Sequence, residues 1–256
     1  APSPGHCNTM GTASSMNSIA EALGMSLPGG AIIPAPYKER TDLSFKTGKR
    51  IVEMVFENLT PSKIMTKEAF ENAVYVASAI GASSNCPPHL TAIARHMGVD
   101  FNLDQWEKLG HSIPLLANCQ PAGEHLMEVF FKAGGITAIM KELIKDKKLN
   151  IKALTVTGKT IEENLNMKID VNRDVIKSYE NPLYHNAGFI VMKSNLFSSA
   201  VMKTSVISSE FRERYLSNKD SLNIFEVKAV VFEGPEDYHA RINDDNLKID
   251  ENSILI

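Results

Sequence analysis

The apolar residues of this chain recur at helical spacing as far as Ile144 and then change period, and that change limits what the chain can fold into. Met16, Ile19, Ala20 and Leu23 mark a first short helix, with Ser14 or Ser15 available as its N-cap and Gly24 placed to close it in a left-handed conformation. Pro28-Gly29-Gly30 and Pro34-Ala35-Pro36 then break the chain into a loop. A second helix is expected around Thr47 to Glu57, with Ile51, Val52, Val55 and Phe56 on its apolar side. Thr66 can cap a third helix that keeps the period through Ala69, Phe70, Ala73, Val74, Ala77 and Ile80 and stops at Gly81. Pro87 or Pro88 can start a fourth, running to Gly98. Asn102 or Asp104 can cap a short helix holding Trp106 and ending at Gly110. His111 to Leu116 reads as a buried extended segment. Gln120 to Glu124 reads as a turn into two further helices separated by Gly134-Gly135.

Beyond Lys168 the pattern differs. Lys168 to Pro182 is polar with little periodicity and reads as a link between two domains, one over 1–167 and one over 183–256. Phe189 to Met192, Ala200 to Thr204, Val227 to Phe232 and Ser253 to Ile256 are short β-prone runs parted by turn residues, which predicts a small sheet or barrel. The charged stretch Ser209 to Asp220 reads as a surface insertion, and 234–242 as a turn and a brief helix.

With 256 residues, 43% of them hydrophobic and 22% charged, the chain can bury a sizeable core. A net charge of -3 with dispersed basic residues argues against nucleic acid and against a polybasic membrane anchor as partners. The apolar runs are too short to span a bilayer, and the opening Ala-Pro-Ser-Pro does not read as a secretory signal. Cysteines stand only at 7, 86 and 119, an odd and scattered set that makes no disulfide framework, so a reducing, cytoplasmic setting is expected.

Chemistry-bearing motifs are few. Gly5 to Met16 places Cys7 between a glycine and small hydroxylated residues, just before an apolar helix. A thiol at a helix start has a lowered pKa and can act as a soft ligand, although a small buried hydrophobe has the same sequence signature. The seven histidines show no tight ligand spacing, and no nucleophile elbow occurs. Gly158-Lys159-Thr160 has the ending of a phosphate-binding loop, but Ala153 stands where that loop needs its first glycine, which argues against a nucleotide site.

Six blocks carry a resemblance: Gly5-His6-Cys7-Asn8-Thr9-Met10-Gly11-Thr12-Ala13, Glu21 to Pro28, Ile33 to Arg40, Ser78 to Asn85, Gln120 to Glu124, and Ala153 to Thr160. In order and wording the chain resembles the iron-sulfur dehydratases, the family of dihydroxy-acid, 6-phosphogluconate and pentonate dehydratases. The first three blocks are most similar to the sugar-acid branch, the L-arabinonate and D-xylonate dehydratases.

The resemblance implies an α/β fold class, with the mainly helical end of an α/β N-terminal domain followed by part of a β-barrel-like C-terminal domain. It implies a hydro-lyase that removes water from a 2,3-dihydroxy sugar acid through an enol to give a 2-keto-3-deoxy acid. A 2Fe-2S cluster would act as Lewis acid on the departing 3-hydroxyl, and Mg2+ would hold the carboxylate and 2-hydroxyl. Of the three cysteines that hold the family's cluster, Cys7 matches the last. Cys86 and Cys119 fall where the family places no ligand and are expected to be structural. Family members are much longer than this chain. The other cluster cysteines and most magnesium ligands belong before the counterpart of Ala1, and a further glutamate ligand and the serine base belong after Ile256. The expectation is therefore an internal fragment, inactive alone, of an enzyme that acts as a homodimer or higher homo-oligomer. Two alternatives are a dihydroxy-acid dehydratase of branched-chain amino-acid synthesis and a non-catalytic degenerate paralogue.

Overall fold

A computed structural model of the chain describes residues 8–195, 197–216 (of Leu216, the backbone only) and 226–256, and the chain divides into two compact units after Val206. The first unit is built on α4 (Lys67–Ala79), whose Ala69, Phe70, Ala73, Val74, Val76 and Ala77 are all buried. A helix apolar around most of its circumference belongs at the centre of a core. Around it lie α1 (Thr12–Ala22), α5 (Cys86–His96), α6 (Leu103–Gly110) and α8 (Gly135–Lys145). Ser14, Ser15 and Ser18 are buried on α1, beside Ile19 and Ala22.

The glycine and capping signals mark the helix ends well. Gly24 (φ 78°) ends α1, with its N–H donating to the Glu21 carbonyl at 3.0 Å and the Met25 N–H to the Ala20 carbonyl at 2.9 Å. Asn102 caps α6 in a reciprocal box with Gln105. The start of α1 differs from expectation: Gly11, not Ser14 or Ser15, is its N-cap, because those serines are already drawn into the helix interior. Glu21, also buried, turns its carboxylate back to accept the Gly29 and Ala31 N–H groups at 2.8 and 2.9 Å, which shapes the Pro28–Gly30 loop.

The second helix, α2 (Lys38–Phe56), departs further. It begins nine residues before the expected Thr47, and its apolar side is not buried: Ile51 and Val52 are each 55% exposed, Val55 73% and Phe56 86%. Only Met54 is buried, packed with Ile64 and Val156. Arg50 fastens the helix to the 154–160 turn by donating from Nε to the Val156 carbonyl at 2.6 Å while its other nitrogens grip Glu57 and Glu53. In that turn Gly158-Lys159-Thr160 leads into α9 (Ile161–Asn164), with Thr160 as the cap. The elements α3 (Pro61–Ile64) and α7 (Met127–Lys132) are short connectors.

Residues 113–119 run extended, bridging Tyr184 through Leu115 and Ile176 through Ala117. Within the polar stretch 168–182, Val175 and Ile176 are buried, and Arg173 pairs with the buried Glu142 of α8 at 2.8 Å. Strands β1 (Phe189–Met192) and β2 (Ala200–Lys203) form an antiparallel hairpin with Phe189 opposite Lys203. A row of rings docks this hairpin on the helices: Phe70, Phe101, Trp106 and Phe189 lie with successive centroids 5.5, 6.5 and 5.1 Å apart. Gly188 permits the approach, since a Cβ there would overlap the Gly110 carbonyl.

In the second unit, β3 (Lys228–Val230) and β4 (Ser253–Leu255) pair in parallel with α11 (Pro235–Arg241) between them in sequence, as a parallel pair requires a crossover. Phe232 meets Tyr238 edge-on, with the Arg241 guanidinium over its ring. The short helix α10 (Ser209–Phe211) and a π-helical turn at Arg212–Leu216 occupy the described part of the charged stretch. Among the described residues, then, strands occur as two separate pairs in a helix-rich α/β chain. No described helix is long and apolar enough to cross a membrane.

Candidate functional site

Cys7 lies outside the described residues, and so does His6 beside it. Residues Asn8 to Gly11 separate Cys7 from α1, which begins at Thr12. The turn is held from both sides. The Asn8 carbonyl accepts from Met127 N–H at 2.9 Å, Met10 N–H donates to the Gln120 carbonyl at 2.7 Å, and Ser14 Oγ donates to the Thr9 carbonyl at 3.0 Å. Met10 is buried and pins the turn to the core. Gln120-Pro121, a cis peptide, belongs to a loop braced by Asn118, whose Oδ1 accepts from Glu124 N–H and whose Nδ2 donates to the Asp174 carbonyl.

The Gly81–Asn85 turn stands opposite. Gly81 takes φ 59°, and a Cβ there would come within 2.9 Å of Leu115. Ser83 is tied to the start of α1 through its N–H, which donates to Ser15 Oγ at 2.9 Å, and through a 3.1 Å contact between its hydroxyl and that of Thr12. Asn85 Nδ2 also donates to Thr12 Oγ1 at 2.9 Å. Two blocks far apart in sequence are thereby joined by hydroxyl and amide groups.

Strand β2 closes the third side. Between the three walls is a cavity of about 500 Å³, lined by Thr9, Thr12, Ser83, Ser84, Pro121 and Lys203 among others, with no carboxylate among the described lining residues. Lys203 Nζ donates to the Gly81 carbonyl at 2.7 Å, and burial holds its pKa below the ordinary lysine value, partly offset by the nearby Cys86. Sequence reading missed Lys203, which appears only as a polar residue inside a β-prone run. The available signal is parity, because 201 and 203 share a strand face and Val201 packs on the core.

Cys86 and Cys119 are buried free thiols. Burial pushes each pKa up to about 12; for Cys86, the Ser15 hydroxyl and Lys203 oppose that rise without cancelling it. Both thiols are therefore neutral near pH 7. Among the described residues no three His, Cys, Asp or Glu side chains gather as a metal-holding group.

Two family models cover nearly the whole chain: the N-terminal model of the dihydroxy-acid/6-phosphogluconate dehydratases matches residues 1–164, and their C-terminal model matches 174–256. The chain belongs to this dehydratase family. Its relatives include the D-xylonate dehydratase of Caulobacter vibrioides, 52% identical over all of this chain and 43% of that protein. The L-arabinonate dehydratase of Rhizobium leguminosarum bv. trifolii is 45% identical over 99% of the chain and 42% of its own length. A dihydroxy-acid dehydratase from Acetivibrio thermocellus is 40% identical over 94% of the chain and 43% of its own length. The chain thus spans less than half the length of these dehydratases, and both family models fall on it in order.

Proposed function

We propose that the chain is the middle portion of a sugar-acid dehydratase, a hydro-lyase converting a 2,3-dihydroxy acid of the D-xylonate or L-arabinonate type to its 2-keto-3-deoxy acid. The observation that carries this reading is the 52% identity to a D-xylonate dehydratase along all 256 residues. The geometry accords with it, since the turn after Cys7 is one wall of a cavity lined with hydroxyl groups and a lysine, a lining suited to a polyhydroxylated anion. In this reading 1–167 ends a cluster-binding domain, 168–182 connects, and 183–256 opens a β-barrel-like domain. The protein works in the cytoplasm as a homodimer or larger homo-oligomer, without nucleic-acid or membrane partners.

Cys7 is proposed as one thiolate ligand of a 2Fe-2S cluster. The two thiols among the described residues, Cys86 and Cys119, are both buried, and the described lining of the cavity holds no carboxylate for Mg2+, so in this reading the further ligands come from outside the described residues. When bound, the two groups supply Lewis-acid activation of the departing hydroxyl and of the C2 proton. The described residues have other tasks: Met10 and Ser14 fix the turn that follows Cys7, Ser83 and Asn85 hold Thr12, and Lys203 brings a positive charge to the cavity lining. No catalytic base is assigned to this chain; a serine beyond Ile256 is expected to serve.

The test is anaerobic purification of the full-length polypeptide and of the 256-residue chain, with iron and sulfide analysis and keto-acid formation from D-xylonate, L-arabinonate, dihydroxy-isovalerate and 6-phosphogluconate. Full-length protein is expected to hold iron and sulfide and to dehydrate the pentonates, Cys7→Ser to lose the cluster, and the 256-residue chain to be inactive. A preference for dihydroxy-isovalerate would replace the sugar-acid assignment.

A further inference from the structure

Lys203 is the unusual charge of the first unit. It ends strand β2, opposite the buried ring of Phe189. It is partly buried, and no carboxylate pairs with it among the described residues. Among the described residues its one hydrogen bond goes to a main-chain carbonyl, that of Gly81, which leaves other ammonium protons available for acceptors. A half-buried cation facing a cavity without a counter-ion is costly to keep unless a ligand supplies the negative charge.

The surroundings select the ligand's chemistry. Thr12 and Ser83 present hydroxyls on the wall opposite β2, and Ser84 and Thr9 add polar atoms. Among the described residues nothing acidic lines the cavity to repel an anion. At about 500 Å³ the space suits a small organic acid and is too ample for a lone inorganic ion.

We propose that Lys203 is a substrate-binding residue whose ammonium donates a hydrogen bond to a carboxylate oxygen of the sugar acid, while Thr12 and Ser83 face its hydroxyl groups. This rests on the dehydratase reading above and adds to it a named recognition residue on β2. Lys203 acts in binding and takes no part in proton transfer. Its contribution is common to every acid the cavity accepts, because all share the carboxylate.

The experiment uses the full-length holoenzyme and, in parallel, cluster-free protein. Acetic anhydride acylates accessible neutral amines, and mass spectrometry reads the extent at Lys203 against other lysines. D-xylonate is expected to slow acylation of Lys203 severalfold, and xylitol, a polyol of the same chain length without the carboxylate, to leave it unchanged. Lys203→Met is expected to raise KM for D-xylonate about 30-fold, the range of one hydrogen bond to a charged group, with kcat changed far less. Lys203→Arg, which keeps the charge, is expected to recover most of that KM and guards against a folding artefact. A residue that only buttressed the Gly81 turn would lower kcat and stability together and show no xylonate-specific protection. Normal turnover with no protection, or Lys203→Met with the parent KM, overturns the role of Lys203 while leaving the dehydratase reading intact. Protection by D-xylonate in protein that fails to dehydrate it supports the site and overturns that reading instead. Absence of both turnover and protection overturns the two together.

Discussion

The three cysteines divide by environment. Cys86 is the first residue of α5, a position that ordinarily lowers a thiol pKa, yet enclosure dominates and the thiol is pushed up to about 12. Cys119 reaches about 12 by burial alone. Both start from an ordinary value of 9.0, so each thiol holds its proton more tightly in the folded chain than in the unfolded one. Their contribution to stability is therefore complete below about pH 9 and lost as pH rises toward 12. Urea midpoints measured between pH 8 and 11 are expected to fall over the upper part of that range, and Cys119→Ala to flatten the fall; a pH-independent midpoint would contradict the burial argument. The sequence, through its resemblance to the dehydratases, carried the expectation that 86 and 119 stand outside the ligand positions. It did not single out Lys203: parity puts that lysine on the strand face of Val201, but the cavity it borders closes only when β2, the Gly81 turn and the Thr9 turn meet.

Among the elements, the contrast between α2 and α6 explains what periodicity can and cannot reveal. In α6 the pattern and the packing agree: Trp106 is buried, and its ring carries β1 through Phe189 and so positions β2. The Trp106 indole N–H has no hydrogen-bond partner among the described residues, so Trp106→Phe forfeits little beyond volume and is expected to cost about 1–2 kcal/mol. Trp106→Ala should cost about 3–5 kcal/mol and loosen the hairpin that bears Lys203, as read by urea unfolding followed by far-ultraviolet circular dichroism. In α2 the helical period is genuine but reports an amphipathic helix without saying which face the chain itself covers. The stripe Phe45, Val52, Val55 and Phe56 is exposed, while Met54 on the other side is buried. Replacing Val52 and Val55 with serine should therefore change the stability of this chain by less than about 1 kcal/mol, whereas Met54→Ala should cost about 2–3 kcal/mol. The reverse order would mean that the stripe is packed in solution.

At the scale of the whole molecule, the four short strands among the described residues were legible, because β-branched runs bounded by turn residues mark themselves locally. Partner choice was not legible: β1 pairs antiparallel with its neighbour in sequence, while β3 pairs in parallel with β4 across α11. Such choices depend on contacts between distant residues. The compact units also divide after Val206 rather than where the two family models meet, between 164 and 174, since Val175, Ile176 and Phe189 contribute to the core of the first unit. Burial is distributed unequally between the units. The first contains a contiguous core around α4, whereas in the second Val230 is the one buried hydrophobic residue among those described. Local opening free energy follows buried apolar contact, so the amides of β3 and β4 should open far more readily than those of α4. Hydrogen exchange on the 256-residue chain, read by mass spectrometry, is expected to show peptides over 228–230 and 253–255 exchanging at least about 100-fold faster than peptides over Lys67–Ala79. Repeating the measurement on the full-length polypeptide places the remaining stability: protection of β3 and β4 that rises toward that of α4 means that segments outside this chain complete their sheet, and unchanged fast exchange means that the β3–α11–β4 unit stays marginal in the whole protein.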